Sequence, residues 1–152
     1  MGAKSFDFRR LLARLIPSLM NNETPIAVAM IICDQIITEK GTEKKSLVGC
    51  FNNVASISFP TRPINCSVFV ALTNGRGKFK AELKCINEEA DRSQVFGMAG
   101  PLEFDDPMQT VEMGFKLTNL SFPKPGRHVI EFWCDSVMVT QREFSVQQIT
   151  KT

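Results

Sequence analysis

The side chains able to do chemistry are few and scattered along the chain. His128 is the only histidine and the only group whose ordinary pKa lies near neutrality. A general base there needs a nucleophile and an orienting acid beside it, and its neighbours in sequence supply neither. A structural role within a strand is therefore expected. Asp34 closes an apolar run, an unusual place for an acid. It either binds a cation or a partner's amine, or satisfies backbone donors of the adjoining turn. Glu103, Asp105 and Asp106 offer oxygen ligands, but their spacing lacks the repeated Asp/Asn-x-Asp rhythm of a calcium loop. Glu88, Glu89 and Asp91 read as a solvated turn. No cofactor fingerprint is present, and no Cys/His spacing suggests zinc. Catalytic, cofactor-binding and metal-ligating residues are all left unassigned, and no cofactor is expected.

Five cysteines, Cys33, Cys50, Cys66, Cys85 and Cys134, are an odd count, and most sit inside apolar runs. A secreted disulfide framework normally shows an even number. Buried free thiols in a reducing compartment are the expectation, with one bridge, such as Cys50 to Cys134, left open until geometry decides.

The chain of 152 residues is 43% hydrophobic and 22% charged, the balance of one ordinary folded domain. Twelve Phe and no Tyr favour a dry core. Residues 1–24 hold four basic groups (Lys4, Arg9, Arg10, Arg14) against Asp7 and Glu23, which leaves fourteen of each sign in the remainder. A neutral main domain argues against binding a phosphate backbone, so nucleic acid is not expected as a partner. The N-terminal apolar stretch is broken by Arg14 and Pro17, unlike a signal peptide. No run approaches a membrane span, and Phe6 stands where a myristoylation motif needs Ser or Thr. A cytoplasmic location is the expectation.

The elements that must position these residues are mostly strands. Residues 5–16 predict a short amphipathic helix, capped by Ser5, with Phe8, Leu11, Leu12, Leu15 and Ile16 at helical spacing and Arg10 and Arg14 on another face. Pro17 ends it. Residues 1–24 are then a helix and linker in front of a domain spanning 25–150. At about three turns the helix is marginal alone and must dock. It suits its own domain or a second copy, then a partner's groove, and least an anionic membrane surface, which is not expected.

From Ile26 the period changes. Ile26–Ile37 is nearly continuous apolar sequence, as for a strand buried on both faces. Ser46–Phe51 returns as a hairpin, and Val54–Phe59 is a short extended piece. Ile64–Thr73 is a long strand with Cys66, Val68, Val70 and Leu72 on one face. Asn74-Gly75-Arg76-Gly77 predicts a hairpin turn. The next strand alternates cleanly, Phe79, Ala81, Leu83 and Cys85 against Lys78, Lys80, Glu82 and Lys84. Gln94–Met98 predicts a short strand broken at Gly100-Pro101. Thr110–Leu120 alternates again, with Val111, Met113, Phe115 and Leu117 inward. Arg127–Cys134 and Val137–Val146 close the chain around an Asp135-Ser136 turn. Seven to nine strands without intervening helices predict an all-β sandwich or barrel. Trp133 alternates with Val129 and Glu131, opposite Phe132. It either anchors a partner from an exposed face or packs under the N-terminal helix.

The stretch PGRHVIEFWCDSVMVTQREFSV (residues 125–146) resembles the closing hairpin of immunoglobulin-like sandwiches, with His128 where that pattern usually has Tyr. AVAMIICDQIITEKGTEKKSLVGCFNNV (27–54) and FPTRPINCSVFVALTNGRG (59–77) are similar to a bacterial family of small uncharacterised proteins. The resemblance spans residues 27–146. It implies an immunoglobulin-like antiparallel sandwich and imports no activity.

The function these readings favour is a non-enzymatic protein-interaction or assembly module, binding another protein or itself. The candidate contact residues are Phe8, Arg10, Leu11, Leu12, Arg14, Leu15 and Trp133. The alternative is a small ligand-binding protein or hydrolase whose site, in the end loops, joins Asp34, His128 and Asp135.

Overall fold

The computed structural model describes residues 22–151. The helix expected over residues 5–16, with Phe8, Arg10, Leu11, Leu12, Arg14 and Leu15, lies outside the described residues. Among those described, nine strands follow one another: β1 (Ile26–Thr38), β2 (Lys45–Cys50), β3 (Asn53–Ser56), β4 (Ile64–Thr73), β5 (Gly77–Asn87), β6 (Ser93–Phe104), β7 (Val111–Leu120), β8 (Gly126–Cys134) and β9 (Val137–Gln148). They form a four-stranded sheet, β2-β1-β4-β7, and a five-stranded sheet, β3-β9-β8-β5-β6. All pairings are antiparallel except that of β3 with β9.

Period-two burial explains why the sheets face one another. Cys66, Val68, Val70 and Leu72 of β4 meet Phe79, Ala81, Leu83 and Cys85 of β5 in one apolar core. Val111, Met113 and Phe115 of β7 pack against its rim, and Leu117 lies within it. The opposite face of β5 turns to water, where Lys80 and Lys84 each lie 3.6 Å from Glu82. At such exposure these pairs add little stability.

Four expectations need correction. The Asn74–Gly77 turn does not make a hairpin. It carries the chain from β4, in one sheet, to β5, in the other. Asn74 has φ 59° and Gly77 φ 97°, so the turn chemistry is as expected, but positive φ permits a sharp reversal without choosing the partner strand. Second, Gly100-Pro101 does not break β6. Pro101 sits on an edge strand, where a missing N–H leaves no ladder bond unmade. Third, β1 is not buried on both faces. Met30, Ile32 and Cys33 are buried at its middle, whereas Val28 is 61% exposed beside a bulge between Ala27 and Ala29. Lastly, the extended piece after β2 is ladder-paired only over Asn53–Ser56, against β9.

The connections are pinned by specific bonds. Thr61, in the crossing from β3 to β4, accepts the Phe122 N–H at Oγ1 (2.9 Å) and the Ser121 hydroxyl at its carbonyl (2.7 Å). Asn22 brackets Lys78 with two hydrogen bonds of 2.8 and 3.3 Å, which ties the polar linker to the start of β5. No helix among the described residues is long and apolar enough to cross a membrane.

Candidate functional site

The start of β8 is sealed. His128 is fully buried between Phe122 and Phe144, whose ring centroids lie 5.1 and 5.4 Å away. Its Nδ1 is 2.9 Å from the Gly126 carbonyl. A carbonyl can only accept, so Nδ1 carries the proton and Nε2 is left as a buried acceptor without a partner. Burial lowers the imidazole pKa, against weaker opposing effects of the Gly126 bond and the Glu89 carboxylate. Gly126 itself has φ 138°, and a Cβ there would press on Asn87 and Glu89. Both side chains are already committed: Asn87 Oδ1 accepts the Glu89 N–H (3.0 Å) and Glu89 accepts the Arg127 N–H (2.9 Å). This corner holds the strand entry in place, and the imidazole itself is closed off from solvent.

The structure does not bring Asp34, His128 and Asp135 together. His128 lies near the start of β8 and Asp135 just past its end, about 23 Å apart at strand rise. Asp135 Oδ1 accepts the Lys80 N–H at 2.9 Å and secures the β8–β9 turn to β5. Asp34 is exposed in the other sheet, and its carboxylate occupies the space above Gly49 that a side chain would need. Asp106 Oδ1 accepts the Met108 N–H at 2.9 Å, a local turn bond. Among the described residues no group of three or more His, Cys, Asp or Glu could hold a metal ion.

Trp133 lies half-buried on the outer face of the five-stranded sheet. Its Nε1–H points at Glu131 Oε1 (3.4 Å), and Lys84 Nζ sits 5.1 Å from the ring centroid, a cation–π arrangement. The sequence coupled exposure of Trp133 to exposure of Glu131. Glu131 is instead only 6% exposed, because Arg92 donates to its Oε2 at 3.1 Å from the β5–β6 turn. The indole therefore belongs to a polar network and still presents part of one face.

All five cysteines are free thiols. Burial pushes the Cys66 and Cys134 pKa values up to about 11, raises that of Cys85 further and raises that of Cys33 as well, so none of these four initiates thiol chemistry as a thiolate at neutral pH. Cys50 is exposed on β2, and Cys134 is buried in the opposite sheet. The Cys50–Cys134 bridge left open by the sequence is thereby removed. The register instead sets Cys50 directly opposite Cys33.

Edges β6 and β7 lie along one flank of the fold. An open crevice of about 370 Å³ separates them, lined by residues 95–98 and 116–121. Val95 and Phe96 reach back to the core, whereas Met98 is 40% exposed. Sequence reasoning missed this flank because it divided β6 in two. The signal available was the absence of charge from Gln94 to Leu102 together with unbroken alternation into Leu102 and Phe104.

The chain belongs to the Family of unknown function (DUF6941), which matches residues 28–147. No curated protein matches it. Among solved structures it is similar to the Pseudomonas fluorescens alkylpurine DNA glycosylase AlkC bound to DNA containing an abasic site analog, at 9% identity and a TM-score of 0.44. The match covers 91% of this chain and 34% of the glycosylase, so the chain spans about a third of that protein's length. With a DNA-bound protein among the matched structures, the partner expectation drawn from net charge is corrected: nucleic acid is not excluded on that ground. The physical reason is that a net charge of zero does not report how charge is distributed over a surface. At this TM-score the likeness assigns no ligand to the chain.

Proposed function

We propose that this family member is a non-enzymatic protein-interaction or assembly module on an immunoglobulin-like sandwich, that β6 is its pairing edge, and that a second copy of the chain supplies the added strand. The observation that carries the reading is the state of the four sheet edges. Natural edges are blunted by shortness, charge, bulges or proline. β2 has six residues and β3 four, and β7 presents Glu112 and Lys116 outward. β6 runs for twelve residues, and Phe96–Gly100, between its bulge and Pro101, carries no charge. Antiparallel self-pairing over that segment sets no like charges opposite one another.

The strand order supports the immunoglobulin-like reading. If β4 and β7 stand for strands B and E, and β9-β8-β5-β6 for G-F-C-C′, neighbours match those of variable-type domains. β1 then takes the place beside B that strand A would hold. The His128 bond to Gly126 stands in for the tyrosine-corner bond at the entry to strand F. Residues 25–150 are read as the module. Its free, mostly buried thiols suit a reducing compartment such as the cytoplasm.

Light scattering of the full chain over a concentration series tests the reading. Assembly is expected, and Met98→Lys combined with Ala99→Pro is expected to leave a monomer with an unchanged circular-dichroism spectrum. A full chain that stays monomeric throughout overturns it.

A further inference from the structure

Cys33 and Cys50 are direct cross-strand partners in the β1–β2 hairpin. The Phe51 N–H donates to the Ile32 carbonyl at 3.0 Å. Residues directly opposite one another in an antiparallel pair have α-carbons about 4.5–5.5 Å apart, inside the range that a disulfide bridges. Local irregularity accompanies the pair. Gly49 has φ 69° and lies under the Asp34 carboxylate. The two thiols differ in access: Cys50 is exposed, whereas Cys33 is fully buried and its Sγ–H is directed at the Gln35 carbonyl at 3.5 Å. An exposed thiol with a buried one beside it is the arrangement of an attacking and a resolving cysteine.

We propose that Cys33 and Cys50 form a reversible thiol-disulfide site, oxidised by low-molecular-weight disulfides such as glutathione disulfide. The Cys50 thiolate attacks one sulfur of the disulfide and forms a mixed disulfide, and one glutathione leaves as its thiol. The Cys33 sulfur then attacks Cys50 Sγ and expels the second glutathione, whose thiolate takes up the Cys33 proton and leaves as the thiol. Two protein thiols are oxidised and one disulfide is reduced to two thiols, so atoms and electrons balance. The product ties edge strand β2 to β1 at the open end of their hairpin. Excess glutathione thiol reverses it, since cross-strand bridges are strained and readily reduced. The inference is independent of any contact at β6.

The test is incubation of the full chain with glutathione disulfide, followed by intact mass and peptide mapping. The expected result is a loss of about 2 Da with a Cys33–Cys50 linkage and no retained glutathione. Cys50→Ser is expected to abolish the change. Cys33→Ser is expected to trap one glutathione on Cys50, a gain of about 305 Da. A persistent glutathione adduct on the unsubstituted chain overturns the proposal. So does a bridge through Cys66, or a mass that does not change. Cys50→Ser replaces an exposed residue, so the comparison survives if Cys33→Ser fails to fold.

Discussion

Strands β8 and β6 belong to the same sheet, separated only by β5, yet they are opposite in character. Along β8 both faces are covered: His128, Ile130, Phe132 and Cys134 on the core side, and Val129 and Glu131 on the other. Along β6 only Leu102 and Phe104 are buried, and the first two-thirds of the strand is half-buried or exposed. The difference arises from position rather than composition. A central strand has ladder partners on both sides, whose side chains flank its own on each face. An edge strand has one partner, and its other row of backbone groups faces water. Stability is therefore concentrated in β8, and capacity for contact in β6.

The largest expected effect tests the sealed strand. Phe132 is fully buried, and its ring centroid lies 6.1 Å from that of Phe115 in the facing sheet. Phe132→Ala removes the ring from a closed interior, and a loss of about 3–5 kcal/mol in urea unfolding is expected. A loss under about 1 kcal/mol would show that the sheets are not packed through β8. Phe104→Ala sharpens the contrast within β6. Phe104 is 3% exposed, and its ring meets Phe79 edge-on at 6.2 Å. About 3 kcal/mol is expected to be lost there, although the residue lies on the strand whose earlier part is open.

How much of this contrast the residues disclose depends on whether the cue is local. Period-two alternation in Phe79, Ala81, Leu83 and Cys85, and in Val111 to Leu117, reports which face is inward, because that follows from the pleat alone. It does not report which strands are neighbours. The Asn74–Gly77 turn looks like a hairpin, yet β4 and β5 lie in different sheets, because pairing is decided by the rest of the fold. Pro101 was legible as a breaker only on the premise that β6 needed its N–H, which an edge does not. The Cys33–Cys50 apposition follows from hairpin register over a turn closed by Glu39, Glu43 and Lys44. No spacing rule for cysteines anticipates it. The placement of His128 within a strand was legible from the alternation around it. Its cage of Phe122 and Phe144 joins residues from β8, β9 and the connection before them.

That cage makes the next prediction, a pH dependence belonging to β8. Burial lowers the folded-state pKa of His128 below its ordinary value of 6.5, with Glu89 the charged group acting on it. Between those two values the unfolded chain binds the proton and the folded chain does not. Stability then rises with pH across this window. The contribution is complete above about pH 6.5 and is lost as pH falls through the folded-state value. His128→Phe is expected to change stability by no more than about 1 kcal/mol at pH 8, where a lost Gly126 bond is offset by removal of the unpartnered Nε2. It is expected to flatten the acid limb of a thermal-melting series. An acid limb identical in the two proteins would mean that another group is responsible.

The smallest expected effect falls on β6 and is the most demanding of the comparison. Met98 is 40% exposed, at the mouth of the crevice facing β7. Met98→Lys replaces one unbranched side chain by another whose stem can follow the same apolar surface and deliver its ammonium to water. Unfolding free energy is expected to change by less than about 0.5 kcal/mol, as for surface positions without a cavity, cap or buried bond at stake. The urea midpoint should match that of the parent chain when both are measured at a dilution where neither associates. A loss near that of Phe104→Ala would place Met98 among the residues that hold the sheets together. The open flank of β6 would then be part of the core, and the distinction between the two strands would disappear.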